Sequence, residues 1–127
     1  MSARGYLVYD TGALIAAERG VRSTWVRHSR LIEQGGEAIV PAVVVTEAWR
    51  GTPRQHGLGL FLKSCTIIPV TEDAARAAGI LLRAAPHGAV DALVTEATLR
   101  YGCPCVTSNR AHIEALTGAA RIAIIDV

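Results

Sequence analysis

The sequence predicts an α/β fold: one domain, residues 1–127, with a five-stranded, mostly parallel sheet and helices on both faces. Three observations lead there. Short apolar runs alternate with helical segments along the whole chain. The length of 127 residues suits one domain, and a hydrophobic share of 50% is enough for a substantial core. No internal repeat or low-complexity tract interrupts the alternation.

Gly5 to Tyr9 is a short apolar run and reads as the first strand. Asp10-Thr11-Gly12 follows, and Ala13 to Ala17 reads as a helix. Gly20 punctuates, and Ser23 is placed to cap a second helix carrying Val26, His28, Leu31 and Ile32, ended by Gly35-Gly36. Glu37 to Val40 is the second strand. Pro41 suits the first turn of a helix through Val44, Val45, Ala48 and Trp49, stopping at Gly51 or Pro53. Arg54 to Lys63 reads as a further helix, with Gly57 and Gly59 weakening it. Thr66 to Val70 is the third strand, where Pro69 favours an edge or an end. Thr71-Glu72-Asp73 opens a helix through Ala74, Ala77, Ala78 and Leu81, and Pro86-His87-Gly88 is a loop. Val90, Leu93, Val94 and Ala97 repeat at i, i+3, i+4, i+7, so they mark a helix, which Gly102 ends. Cys105 to Thr107 is the fourth strand, Asn109 to Leu116 a short helix, and Arg121 to Val127 the last strand.

Composition narrows the function classes. The six aromatic residues are too few for a sheet of stacking rings that would hold single-stranded bases. A net charge of +2 is too small to argue for nucleic acid by itself. The basic residues are arginines except for Lys63; arginine suits bidentate phosphate contacts, and surface solvation explains it equally well. No segment has the length or character of a signal peptide or a membrane span, so a cytoplasmic protein is expected. Cys65, Cys103 and Cys105 are odd in number and lack zinc-finger spacing, so reduced thiols are expected.

The acids carry the chemistry. In parallel α/β folds the ligand sits outside the carboxyl ends of the strands. Asp10 follows the first strand, Glu47 lies about two helical turns beyond the second, Asp91 opens the helix before the fourth, and Asn109 follows the fourth. Converging carboxylates bind Mg²⁺ or Mn²⁺. Each residue also has a plainer reading. Asp10 serves equally as an N-cap, Asp91 as a first-turn charge, and Ser108 or Asn109 as the cap of the last helix. Glu47 lies inside a helix, where its plain reading is a solvated side chain pairing with Arg50. Glu96 follows Asp91 by five positions and points to another side of its helix.

These residues lie in motifs that resemble a known family. Val8-Tyr9-Asp10-Thr11-Gly12-Ala13-Leu14-Ile15 resembles the opening of a PIN domain. Pro41 to Glu47 resembles its second motif, and Val90-Asp91-Ala92-Leu93-Val94 with Arg100-Tyr101-Gly102 resembles its third. Thr107-Ser108-Asn109 stands where the family has Thr-Ser-Asp. The order of the motifs covers nearly the whole chain and resembles the VapC-type toxins of VapBC toxin–antitoxin systems. The resemblance implies a sheet ordered 3-2-1-4-5. It implies a Mg²⁺- or Mn²⁺-dependent endoribonuclease with Asp10, Glu47, Asp91 and Asn109 as its catalytic set. It further implies a homodimer and a cognate antitoxin that blocks the pocket. Thr11 and Ser108 match positions that hold such a site by hydrogen bonds, and His112 stands where another acid is common.

The expected mechanism is hydrolysis of RNA phosphodiesters, with tRNA or rRNA as the substrate class the resemblance implies. Asp10 and Asp91 would take the metal, with Glu47 and Asn109 completing the shell directly or through water. Arg110 is a candidate phosphate contact or a solvated helix residue, and His112 a supporting or RNA-orienting group. The replacement of an acid by Asn109 removes one negative charge and weakens the hold on a hard cation. It therefore motivates a rival: a catalytically weakened module that binds RNA or a protein partner. A third reading, cleavage of branched or flap DNA, calls for more acids and longer insertions than this chain has.

Overall fold

The computed structural model describes residues 5–118 and 121–127. The 1–127 domain boundary expected from the sequence therefore includes six residues that lie outside the described ones. The strands are β1 (Tyr6–Tyr9), β2 (Glu37–Pro41), β3 (Thr66–Ile68), β4 (Cys105–Thr107) and β5 (Ile124–Asp126). They form one sheet in the order β3-β2-β1-β4-β5, and every pairing is parallel. The helices are α1 (Thr11–Glu18), α2 (Arg22–Glu33), α3 (Ala42–Ala48), α4 (His56–Lys63), α5 (Glu72–Leu81), α6 (Ala89–Tyr101) and α7 (Arg110–Thr117). Neighbouring residues of a strand face opposite sides of the sheet. Leu7, Val8 and Tyr9 of β1 are all buried, as are Ala38, Ile39 and Val40 of β2, so helices cover both faces. That is why the central strands read as unbroken apolar runs.

The core gathers around these strands. Leu14 of α1, Val44 of α3, Leu58 and Phe61 of α4, Val94 of α6 and Ile113 of α7 pack into it. Small residues on α1 (Ala13, Ala16, Ala17) let that helix sit close to its neighbours. α6 is enclosed on more sides than its apolar stripe predicts: Thr95, Glu96 and Thr98 are buried along with Ala92 and Val94. α5 packs along α6 and closes its outer side. The two threonines satisfy their hydroxyls on the carbonyls one turn back, Thr95 to Asp91 and Thr98 to Val94, both at 2.8 Å. Gly102 ends the helix in the left-handed region (φ 61°), a conformation glycine adopts without a Cβ clash.

Local corrections follow from packing. Ser23 does not cap α2; the chain turns at Gly20 (φ 71°), and Val21 is the N-cap, its carbonyl receiving the amides of Thr24 and Trp25. Thr71 caps α5 through Ala74 N (3.1 Å), in agreement with the helix expected there. β3 stops at Ile68, just before Pro69, and lies at the sheet edge as that proline requires. Buried Gln55 anchors the end of α3, accepting from the amides of Arg50 (2.6 Å) and Gly51 (3.0 Å) and donating to Ala48 O (2.8 Å). The three cysteines are free thiols. Among the described residues, no helix is long and apolar enough to cross a membrane.

Candidate active site

The strand order reverses between β1 and β4, because the chain runs outward from β1 through β2 to β3 and then returns to the other side. A crevice forms at the carboxyl ends of strands at such a point. The register pairs Val8 with Cys105 and Tyr9 with Val106, which sets Asp10 abreast of Thr107. The Thr107 hydroxyl donates to Asp10 Oδ2 at 2.7 Å and itself accepts from Asn109 N at 2.9 Å. The amide of Thr11 donates to Asp10 Oδ1 at 2.7 Å. Asp10 is therefore both the N-cap of α1 and a carboxylate held on both oxygens across the crevice.

Glu47 reaches the same region from α3. Its Oε1 accepts from the Thr11 hydroxyl at 2.6 Å, so the solvated pairing with Arg50 is not what places it. Arg50 instead donates to the carbonyls of Thr46 and Trp49. Asp91 comes from the first turn of α6, and its Oδ2 lies 3.0 Å from His112 Nδ1. Asp10 is almost fully buried, and burial is the main force raising its pKa above the usual carboxylate value. The bonds from Thr107 and Thr11 oppose that shift, while the charges of Asp91 and Glu47 add to it. The three acids thus share one electrostatic field. They do not form a cage: among the described residues, no group of three or more His, Cys, Asp or Glu side chains is close enough together to hold one metal ion. The donor set is hard carboxylate oxygen, which suits Mg²⁺ or Mn²⁺ bound through one or two carboxylates with water filling the rest.

Around this set, some expected residues have different tasks. Asn109 occupies the N-cap position of α7 but makes no side-chain capping bond, so the plain reading of it as a cap does not hold. Ser108 does not supply the supporting hydrogen bond expected of it; Thr107, one residue earlier, does. Ser108 instead lies against Gly12, where an added Cβ would meet Ser108 Cβ at 2.8 Å and its backbone N at 3.0 Å. Real Cβ contacts are not that short, so Gly12→Ala would push α1 away from the β4–α7 connection and pull Asp10 off Thr107. The variant should fold with a lower Tm, by several degrees or more, read by thermal melts. The Arg110 guanidinium pairs at the surface with Asp126 of β5, Nε to Oδ1 at 3.1 Å and Nη2 to Oδ2 at 2.8 Å. Both side chains are exposed, so the pair is weak and does not bar a phosphate contact. Sequence reasoning gave Thr107 no task of its own, although it ends β4 and opens the Thr107-Ser108-Asn109 motif.

Comparison with known proteins adds a family. The model of the PIN domain matches residues 7–116. No curated protein sequence matches the chain. Among solved structures, it is similar to VapBC2 from Rickettsia felis bound to a DNA fragment from its promoter. The two share 16% identity over 96% of this chain and 98% of that one, with a TM-score of 0.71. A toxin–antitoxin complex from Klebsiella pneumoniae is similar at 16% identity over 94% and 95% of the two chains, TM-score 0.66. FitAcB from Neisseria gonorrhoeae is similar at 16% identity over 94% and 96%, TM-score 0.64. At that identity, the likeness to these structures is one of fold.

Proposed function

This chain belongs to the PIN-domain family, and from that membership we propose that it is a metal-dependent endoribonuclease, the toxin of a toxin–antitoxin pair. The observation that supports the reading is Asp10, buried at the carboxyl end of β1, whose pKa is raised chiefly by burial and further by the charges of Asp91 and Glu47. Helix capping explains none of the contacts of Glu47, and it does not explain why Asp10 is buried among like charges. The likeness in fold to toxin–antitoxin complexes over nearly the whole chain supports a cognate antitoxin as partner; a homodimer is the expectation carried by the family resemblance.

Asp10 and Asp91 would hold Mg²⁺ or Mn²⁺, with Glu47 and Asn109 acting through water. When bound, such a cation supplies an activated water and offsets charge building on the phosphate. The chain's own residues set up that event. Thr107 and the Thr11 amide fix both oxygens of Asp10, and the Thr11 hydroxyl fixes Glu47. The mutual repulsion of the three acids favours a counter-charge among them. The test is cleavage of structured RNA with Mg²⁺ or Mn²⁺ by the wild type and by Asp10→Ala. Equal cleavage by the two would sink the reading.

A second reading, a catalytically weakened module that binds RNA or a protein, is favoured by two observations. Asn109 offers a neutral oxygen where the family has an acid, and one oxygen of Asp91 is occupied by His112. Restoring the charge with Asn109→Asp should tighten Mn²⁺ binding about tenfold by calorimetry, since affinity follows ligand charge. Absence of binding by the wild type at millimolar Mn²⁺ would favour the weakened module.

A further inference from the structure

Beside the acidic pocket lies a pair of imidazole rings to which the hydrolytic reading gives no task. His87, in the loop between α5 and α6, stacks on His112 of α7 with ring centroids 4.3 Å apart and planes 20° from parallel. His112 is held in turn by Asp91, whose Oδ2 lies 3.0 Å from its Nδ1. The ledge is open: the His112 side chain is 45% exposed, and Pro86, Gly88 and Ala89 around His87 are exposed as well.

Most aromatic side chains of the chain are engaged elsewhere: Tyr6 packs on Tyr101, and Tyr9 and Trp25 pack on Phe61, while Trp49 at the end of α3 is 40% exposed. The two histidines are a stacked π-surface in direct contact with one of the acids, Asp91. We infer that His87 and His112 form a stacking ledge that seats a nucleobase of single-stranded RNA beside the phosphate to be cut. The inference rests on the ribonuclease reading and deepens it. Every base has a flat π-face, so stacking seats a nucleotide without reading its identity. Imidazole serves this purpose among RNA-binding side chains. A pair does so better than a lone exposed ring, because each ring fixes the other before the base arrives and less side-chain freedom is lost on binding.

Binding is measured with a fluorescent single-stranded RNA and with an abasic strand of the same length, both on an Asp10→Asn background that blocks cleavage. His87→Ala should weaken binding of the RNA about tenfold and leave the abasic strand unchanged. His87→Phe should restore RNA binding. An equal loss on both strands would mean that His87 only braces the loop, and no loss on either would remove the ledge; both outcomes overturn the inference and leave the ribonuclease reading standing. If the Asp10→Asn parent binds neither strand, the RNA reading falls and the ledge falls with it.

Discussion

Replacement of His28 by alanine should cost about 3–5 kcal/mol of folding stability, a large share of the roughly 5–15 kcal/mol that holds a typical domain together. His28 is 3% exposed and links three elements of the core. The direction of every hydrogen bond around it is fixed. The Ser64 hydroxyl donates to Phe61 O at 2.8 Å, so toward His28 Nε2, 2.6 Å away, it accepts. Nε2 therefore carries the ring hydrogen, and Nδ1 accepts from the Tyr9 hydroxyl at 2.8 Å. The ring also lies against Phe61, centroids 4.1 Å apart. Alanine would open a cavity there and leave the Tyr9 hydroxyl without its acceptor, and both effects destabilise. Urea unfolding at pH 7.5 measures the cost; a loss under about 1 kcal/mol would show that the core closes over the gap.

The same chain of bonds makes His28 acid-sensitive. Burial lowers its pKa below the ordinary 6.5. The unfolded chain then takes up a proton first as the pH falls. The stability contributed by neutral His28 is complete above about pH 6.5 and is lost below it, toward the lower folded pKa, at no more than about 1.4 kcal/mol per pH unit. Protonation would also turn Nδ1 into a donor and leave the Tyr9 hydroxyl hydrogen without its acceptor. Wild-type stability should therefore fall between pH 6.5 and 5, and a His28→Phe variant should lack that component of the fall.

What the sequence makes legible follows period and boundary. β4 was readable to the residue because three buried apolar or β-branched residues stand between Pro104 and Ser108. Asp10 and Asp91 were open to nomination from the sequence because a strand end and a helix start fix where their side chains emerge. Thr107 was not, because its bond to Asp10 spans 97 positions and depends on the β1–β4 register, which no local pattern encodes. Arg110 and Asp126 are hidden for the same reason: each looks solvated until β5 comes alongside α7. The burial of Glu96 depends on α5 closing over α6; its charge is met one turn on by Arg100, at 2.9 Å. Ser23 misleads because a good capping residue was read without the turn at Gly20, which starts the helix two residues earlier.

Asp10→Asn should abolish metal-dependent cleavage, by about a hundredfold or more, and at the same time raise the Tm of the metal-free protein at pH 7. The stabilisation follows from sign. An acid whose folded pKa is raised, here chiefly by burial, stabilises the fold only while it is protonated. That contribution is present below the unfolded value of 3.8, is lost as pH rises through the folded pKa, and is absent at neutrality. Charged Asp10 is therefore a cost that the free protein carries at pH 7, and Asp91 and Glu47 increase it. Asparagine keeps the shape without the charge. Its oxygen still accepts from Thr11 N, and its amide donates to Thr107 Oγ1 in place of the bond Oδ2 receives. The gain in Tm should shrink as the pH is lowered and the wild-type carboxyl takes up its proton, which its raised pKa makes it do before an ordinary aspartate. Added Mn²⁺ should raise the Tm of the wild type more than that of the variant, because only the wild type offers the full charge to bind it. A variant less stable than the wild type at pH 7 in EDTA would mean that the bonds to the carboxylate outweigh its burial. Asp10 would then be a structural cap first, and its loss of activity would no longer separate catalysis from folding.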